Sequence, residues 1–129
     1  MLVEINQNAK DLTEGFGTSL GTETYYRAFP SYVIYTDGVD SLCENFKCYW
    51  AIDVIASYQS LPEYQPEQNY LQIWQIYAEN GRATVYCNDK FVQDINYTDL
   101  PDGVLTFKGV WNSVSEHKNI FVICLMVED

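Results

Sequence analysis

The sequence predicts an α+β fold: one long amphipathic helix, with short N-terminal helices before it, packed on a four- to five-stranded antiparallel β-meander. Residues 35–59, YTDGVDSLCENFKCYWAIDVIASYQ, carry apolar residues at helical spacing. Residues 70–87, YLQIWQIYAENGRATVYC, set an Asn-Gly pair between two strand-like runs. The chain beyond Cys87 reads as further strands and turns. A chain of 129 residues, 47% of them hydrophobic, is expected to form a single domain over 1–129. Such a chain buries roughly two-thirds of its unfolded surface.

Taken in order, Lys10 to Phe16 reads as a short helical turn closed by Gly15 and Gly17. Gly21 to Arg27 reads as a second short helix, with Thr22 as N-cap and Pro30 beyond its end. SYVIYT, residues 31–36, suits a short strand leading into the main helix. In that helix Asp37 is the expected N-cap, and Asp40 in the first turn suits the positive end of the dipole. At about 100° per residue, Val39, Leu42, Phe46, Tyr49, Trp50 and Ala56 share one side. Asp53 falls in the same stripe. A lone buried carboxylate is costly, so Asp53 is expected to bond tyrosine hydroxyls, backbone or Arg27 as a structural buried polar group. A catalytic or ligand-binding Asp53, with Arg27 and tyrosines in a pocket beneath the helix, is the alternative. LPEYQPEQN, residues 61–69, carries two prolines and no periodicity and reads as a mobile loop.

If Asn80 and Gly81 form a two-residue turn, Glu79 faces Arg82, Ala78 faces Ala83, Ile76 faces Val85 and Trp74 faces Cys87. The inner residues share one face, and Gln75, Tyr77, Thr84 and Tyr86 share the other. Strands are expected at Phe91–Tyr97 and Val104–Trp111, with turns at 88–90 and 100–103 and a polar loop from Asn112 to Asn119. The last strand, IFVICLMV at 120–127, is apolar throughout. It needs cover on both faces or a partner, so a homodimer is one outcome.

Seven Lys and Arg against 18 Asp and Glu give a formal charge of −11. That balance disfavours direct contact with nucleic acid or an anionic membrane, and suits a protein partner with a basic surface. No signal peptide or membrane span is visible, so the expected location is cytoplasmic. The cysteines Cys43, Cys48, Cys87 and Cys124 show no metal spacing and read as small core hydrophobes. No metal, cofactor or catalytic residue is assigned: there is no phosphate loop and no nucleophile beside an evident base. The acidic pairs Asp37/Asp40 and Asp99/Asp102 are explained by capping and turn chemistry.

Tyrosine is abundant, with 11 copies. As rigid amphipathic contact residues, tyrosines suit protein interfaces. The expected binding surface joins Tyr25, Tyr26, Tyr58 and Tyr64 with the acids Asp89, Asp94, Asp99 and Asp102.

The segments GTETYYRAF, VIYTDGVDSLCE, YWAIDVIASYQ, LQIWQIYAENGRATVYCND and INYTDLPDGVLTF resemble, in this order and spacing, a small family of unknown function found in phages, plasmids and mobile elements. The matching positions are Tyr25, Tyr26, Arg27, Thr36, Asp37, Gly38, Tyr49, Trp50, Asp53, Ser57, Tyr58, Gln59 and Trp74, within roughly residues 12–110. The resemblance implies no activity, only the company of proteins that antagonise host machinery. It leads to the expectation of a non-enzymatic inhibitor of a host defence protein, anti-CRISPR-like, acting in the host cytoplasm on a nucleic-acid-binding effector. A small ligand-binding domain or enzyme, and a structural homodimer, are the alternatives.

Overall fold

A computed structural model describes residue 5 and residues 7–14, 25–115 and 118–126 of the chain. Its centre is a seven-stranded mixed sheet of order β1-β2-β7-β6-β3-β4-β5. The strands are β1 Tyr25–Arg27, β2 Val33–Thr36, β3 Leu71–Glu79, β4 Arg82–Cys87, β5 Lys90–Ile95, β6 Gly103–Ser115 and β7 Lys118–Cys124. The helices are α1 Asp37–Phe46, α2 Tyr49–Tyr58 and the four-residue α3 Pro66–Asn69, with a 3-10 turn at Pro62–Tyr64. This corrects the expected long helix on an antiparallel meander. Residues 25–27 form the edge strand β1 rather than a helix. The β1–β2 ribbon joins the sheet by parallel pairing of β2 with β7, Val33 opposite Phe121. The expected turn at Lys10–Phe16 and helix at Gly21–Arg27 otherwise fall partly outside the described residues. Asp11 makes an isolated parallel bridge to Val104.

The long helix breaks because Lys47 adopts a left-handed conformation at φ 55°, and Cys48 is non-helical. The Cys48 amide donates to the Cys43 carbonyl across the join at 2.9 Å. The break resets the helical phase, so each half carries its own stripe. In α1 it is Val39, Leu42 and Cys43; in α2 it is Ala51, Ile52, Ile55 and Ala56. A residue in the stripe of one continuous helix therefore need not be inward in two short ones. Thr36, not Asp37, caps α1, its hydroxyl accepting from the Val39 amide at 3.3 Å.

The β3–β4 hairpin has the expected register, from Trp74 opposite Cys87 to Glu79 opposite Arg82. Asn80 and Gly81 both take positive φ, 53° and 79°, the primed turn that matches strand twist. Trp74, Ile76, Ala78, Ala83, Val85 and Cys87 are all buried in the core beneath the helices. Tyr77, Tyr86 and Val104 make a second, smaller cluster on the opposite face, against which Ala9 packs. Where β7 ends, the 10–12 segment takes its place beside β6: the Leu12 amide donates to the Val104 carbonyl and the Val104 amide to the Lys10 carbonyl, both at 2.8 Å.

β7 lies between β2 and β6, so both of its edges are paired. Phe121 and Ile123 are buried under the helices, and Val122 on the other face is half-buried beside Ile34 and Val110. β6 runs on to Ser115, which shortens the expected 112–119 loop. All four cysteines are buried free thiols, as expected of core hydrophobes. Hydrogen bonding to Cys48, with burial, raises the pKa of Cys43.

Candidate interaction surface

The 61–69 segment is pinned rather than loose. Gln59 closes α2 and Gln72 opens β3, and both are fully buried. Their amides bond reciprocally, Gln59 Nε2 to Gln72 Oε1 at 2.9 Å and Gln72 Nε2 to Gln59 Oε1 at 3.0 Å. Gln72 also donates to the Tyr64 and Asn69 carbonyls, each at 3.1 Å, and accepts from Trp74 Nε1 at 2.8 Å. Trp111 Nε1 donates to the Tyr64 carbonyl at 2.8 Å, and Gln65 to the Gln59 carbonyl. Two prolines hid this network: the local pattern reads as a loop, while its polar groups are satisfied by residues on the sheet.

That clamp decides where Tyr58 and Tyr64 lie. Both are half-buried and pack on Trp74, with ring centroids 5.8 and 5.7 Å away. The Tyr58 hydroxyl donates to Gln93 at 2.7 Å. Burial raises the pKa of Tyr64. These two belong to the roof of the core, not to an open surface with Tyr25 and Tyr26.

The predicted acids also lie elsewhere. Asp94, Asp99 and Asp102 are exposed but accept local hydrogen bonds, from the Thr84 hydroxyl at 2.9 Å, the Tyr97 hydroxyl at 2.7 Å and the Asn80 amide at 2.9 Å. Asp102 thereby ties the β5–β6 connection to the hairpin turn. Asp89 is exposed in the β4–β5 turn with φ 67°. Strand β5 is six places from β1 in the sheet, about 29 Å at roughly 4.8 Å per strand. Tyr25 and Tyr26 therefore do not share a patch with these acids.

A different acid-and-aromatic surface forms on the β1–β2 side. Tyr26 stacks on Tyr35 with centroids 5.5 Å apart. Burial, and next the negative charge of Asp40, raise the Tyr35 pKa, with a weaker contribution from Asp53. The Tyr49 hydroxyl donates to Asp40 Oδ1 at 2.8 Å, which raises the Tyr49 pKa. Tyr49 is 39% exposed and Tyr26 37%, whereas Tyr25 stands with Arg27 on the opposite face of β1. At the tip of this ribbon the β1–β2 connection carries Phe29, 88% exposed, before a cis bond to Pro30. The Ala28 amide holds that connection by donating to the Val33 carbonyl at 2.8 Å.

Asp53 belongs to this surface, which corrects its expected burial. With the helical phase reset it faces outward and is exposed. Arg27 is exposed too. It stands opposite Ile34, on the sheet face away from the helices, and its Nη1 donates to the Ser31 carbonyl at 3.1 Å. The strand alternation that sends Tyr26 and Tyr35 toward the helices sends Arg27 away, so Arg27 and Asp53 form no buried pair.

Phe29, Pro30, Tyr32, Asp53, Ala56, Ser57 and Ser60 line a cleft of about 540 Å³. Tyr32 and Ser60 also line an adjoining hollow of about 420 Å³ with Gln65, Trp111, Lys118 and Asn119. Tyr32 and Trp111 stack between them, centroids 5.8 Å apart. The floor is aromatic, with a carboxylate at one end and an ammonium at the other. Phe29 and Tyr32 are three residues apart but Trp111 lies far along the chain, and only the aromatic-proline pair in a strand connection hints at an exposed ring. Among the described residues no group of three or more His, Cys, Asp or Glu could hold a metal ion. No helix among them is long and apolar enough to cross a membrane.

A family model described as a family of unknown function (DUF6876) matches residues 10–129. No curated protein and no solved structure matches the chain.

Proposed function

This chain belongs to the DUF6876 family, and we propose that it works by binding another protein, one that presents a basic surface, rather than by turning over a substrate. The observation that carries this reading is the grouping of Tyr26, Tyr35, Tyr49 and Phe29 with Asp40 and Asp53 along one side of the molecule. Acidic charge steers association with a basic partner, while exposed aromatic rings supply anchors that salt does not screen. A formal charge of −11 supports the same direction. In its most concrete form the protein is a phage- or mobile-element-borne inhibitor. It covers the nucleic-acid groove of a host defence protein in the host cytoplasm, as an anti-CRISPR does.

Affinity capture from host lysate tests this with the parent and with a variant carrying Asp40→Lys and Asp53→Lys. A basic protein should be retained by the parent at about 0.1 M salt and weakened at about 0.5 M, where the Debye length falls to about 4 Å. The charge-reversed variant should lose it at both. The captured protein's own nucleic acid should compete with the parent. Direct binding of DNA or RNA by the parent would contradict the reading.

A further inference from the structure

The Asp53 carboxylate stands at the rim of an apolar cleft, and among the described residues no cation is paired with it. Arg27 is engaged with the Ser31 carbonyl on the other face of the sheet. Around Asp53 lie the rings of Phe29 and Tyr32, the Ala56 methyl and Pro30. A carboxylate next to aromatic faces matches one side chain better than any other. Arginine lays a planar guanidinium on aromatic rings, presents paired N–H donors to a carboxylate, and has an apolar stem. Lysine offers a compact, strongly hydrated charge that gains less from such walls. A cleft of about 540 Å³ holds one such side chain with its flanking backbone. Ser60 and Tyr32 then carry an extended segment into the second hollow, where Gln65 and Asn119 have amides for its backbone.

We infer that the cleft between the β1–β2 connection and α2 receives an arginine side chain of the protein partner, its stem between Phe29 and Tyr32 and its guanidinium on Asp53. The inference rests on the binding reading above and names the contact that would anchor it. The apolar walls lower the local dielectric around the pair, and the rings add a cation–π contact that a lone surface ion pair lacks.

The test is an NMR titration of the isotope-labelled protein with the peptide acetyl-Gly-Arg-Gly-amide. Its neutral isostere, with citrulline in place of arginine, is the control. The arginine peptide should give saturable shifts at Ala56, Ser57, Ser60 and the Trp111 indole. The citrulline peptide should bind about tenfold more weakly, as expected for losing one charge-assisted contact. Asp53→Asn should weaken the arginine peptide by a similar factor, while Asp89→Asn, the same charge change in the distant β4–β5 turn, should leave it within about twofold. Equal weakening by both variants, or shifts spread over all acidic surfaces, would overturn the inference, since diffuse charge would then suffice. Absence of saturation would overturn it as well. If partner capture still depends on Asp40 and Asp53 in that case, only the arginine cleft falls and the binding reading stands.

Discussion

In the β3–β4 ribbon each residue finds its partner across a tight turn, whereas in the β1–β2 ribbon Val33 finds Phe121 near the other end of the chain. The first ribbon has a turn dipeptide that presets its twist and a strict alternation that sets its register. The second has three residues in β1, a solvent-exposed Phe29 at its tip, and a place in the sheet granted by β7. Local pairing closes a short loop at small entropic cost; the parallel pairing closes a loop of most of the chain. The ribbon held least by its own sequence is the one on which the proposed interaction surface lies, in keeping with binding regions being drawn from the less stable parts of folds.

The largest expected effect lies in the local half. Trp74 is fully buried between Tyr58, Tyr64 and the Gln59–Gln72 pair. Trp74→Ala should cost about 3–5 kcal/mol, from the lost ring and the cavity it leaves. Denaturant unfolding followed by circular dichroism measures it. A loss below about 1 kcal/mol would mean that this ribbon is not the stable half.

Gly109→Ala probes the non-local half. A methyl there would stand 2.1 Å from the Phe121 ring, which lies across the glycine. Overpacking of this kind costs about 1–3 kcal/mol. Hydrogen exchange should quicken first in β1, β2 and β7 and last in β3 and β4. Uniform quickening would erase the difference between the ribbons.

Alkali sharpens the comparison by acting on tyrosines in both halves. The pKa values of Tyr35 and Tyr77 are raised chiefly by burial, and that of Tyr49 by its bond to Asp40. A raised folded-state pKa means that the native protein binds more protons than the unfolded chain once pH passes the ordinary tyrosine value of about 10. Stability is therefore at its full value below pH of about 10 and falls as pH rises through the folded values. Urea unfolding from pH 8 to 12, with tyrosinate absorbance in parallel, follows both quantities. Constant stability above pH of about 10.5 would show that these hydroxyls are not held.

The smallest effect is expected at Asp53→Asn and Arg27→Ala, each below about 0.5 kcal/mol because both side chains are exposed. A loss of about 3–5 kcal/mol in either would restore the buried pair that one continuous helix implies. Thermal melts of the two variants decide it.

Much of the fold could be read from the chain alone where the information is local. The β3–β4 register follows from Asn80-Gly81 and the alternation on either side. The Val33–Thr36 strand, the acidic first turn of α1 and the buried thiols follow from propensity, dipole and composition. Tertiary structure decided the rest. Lys47 breaks the helix although no glycine or proline marks the place, because the two halves must present separate stripes to one twisted sheet. The same break turns Asp53 outward. Residues 25–27 become a strand because Val33–Thr36 offers them an edge, which outweighs their local helical pattern. The Pro-rich 61–69 segment is held because Gln59, Gln72 and Trp111 satisfy its polar groups from elsewhere. Periodicity and turn chemistry act over a few residues, so the sequence determined the β3–β4 hairpin and its turn. Sheet order, helix phase and the aromatic cleft depend on which distant segments meet, and only packing of the whole chain chose those.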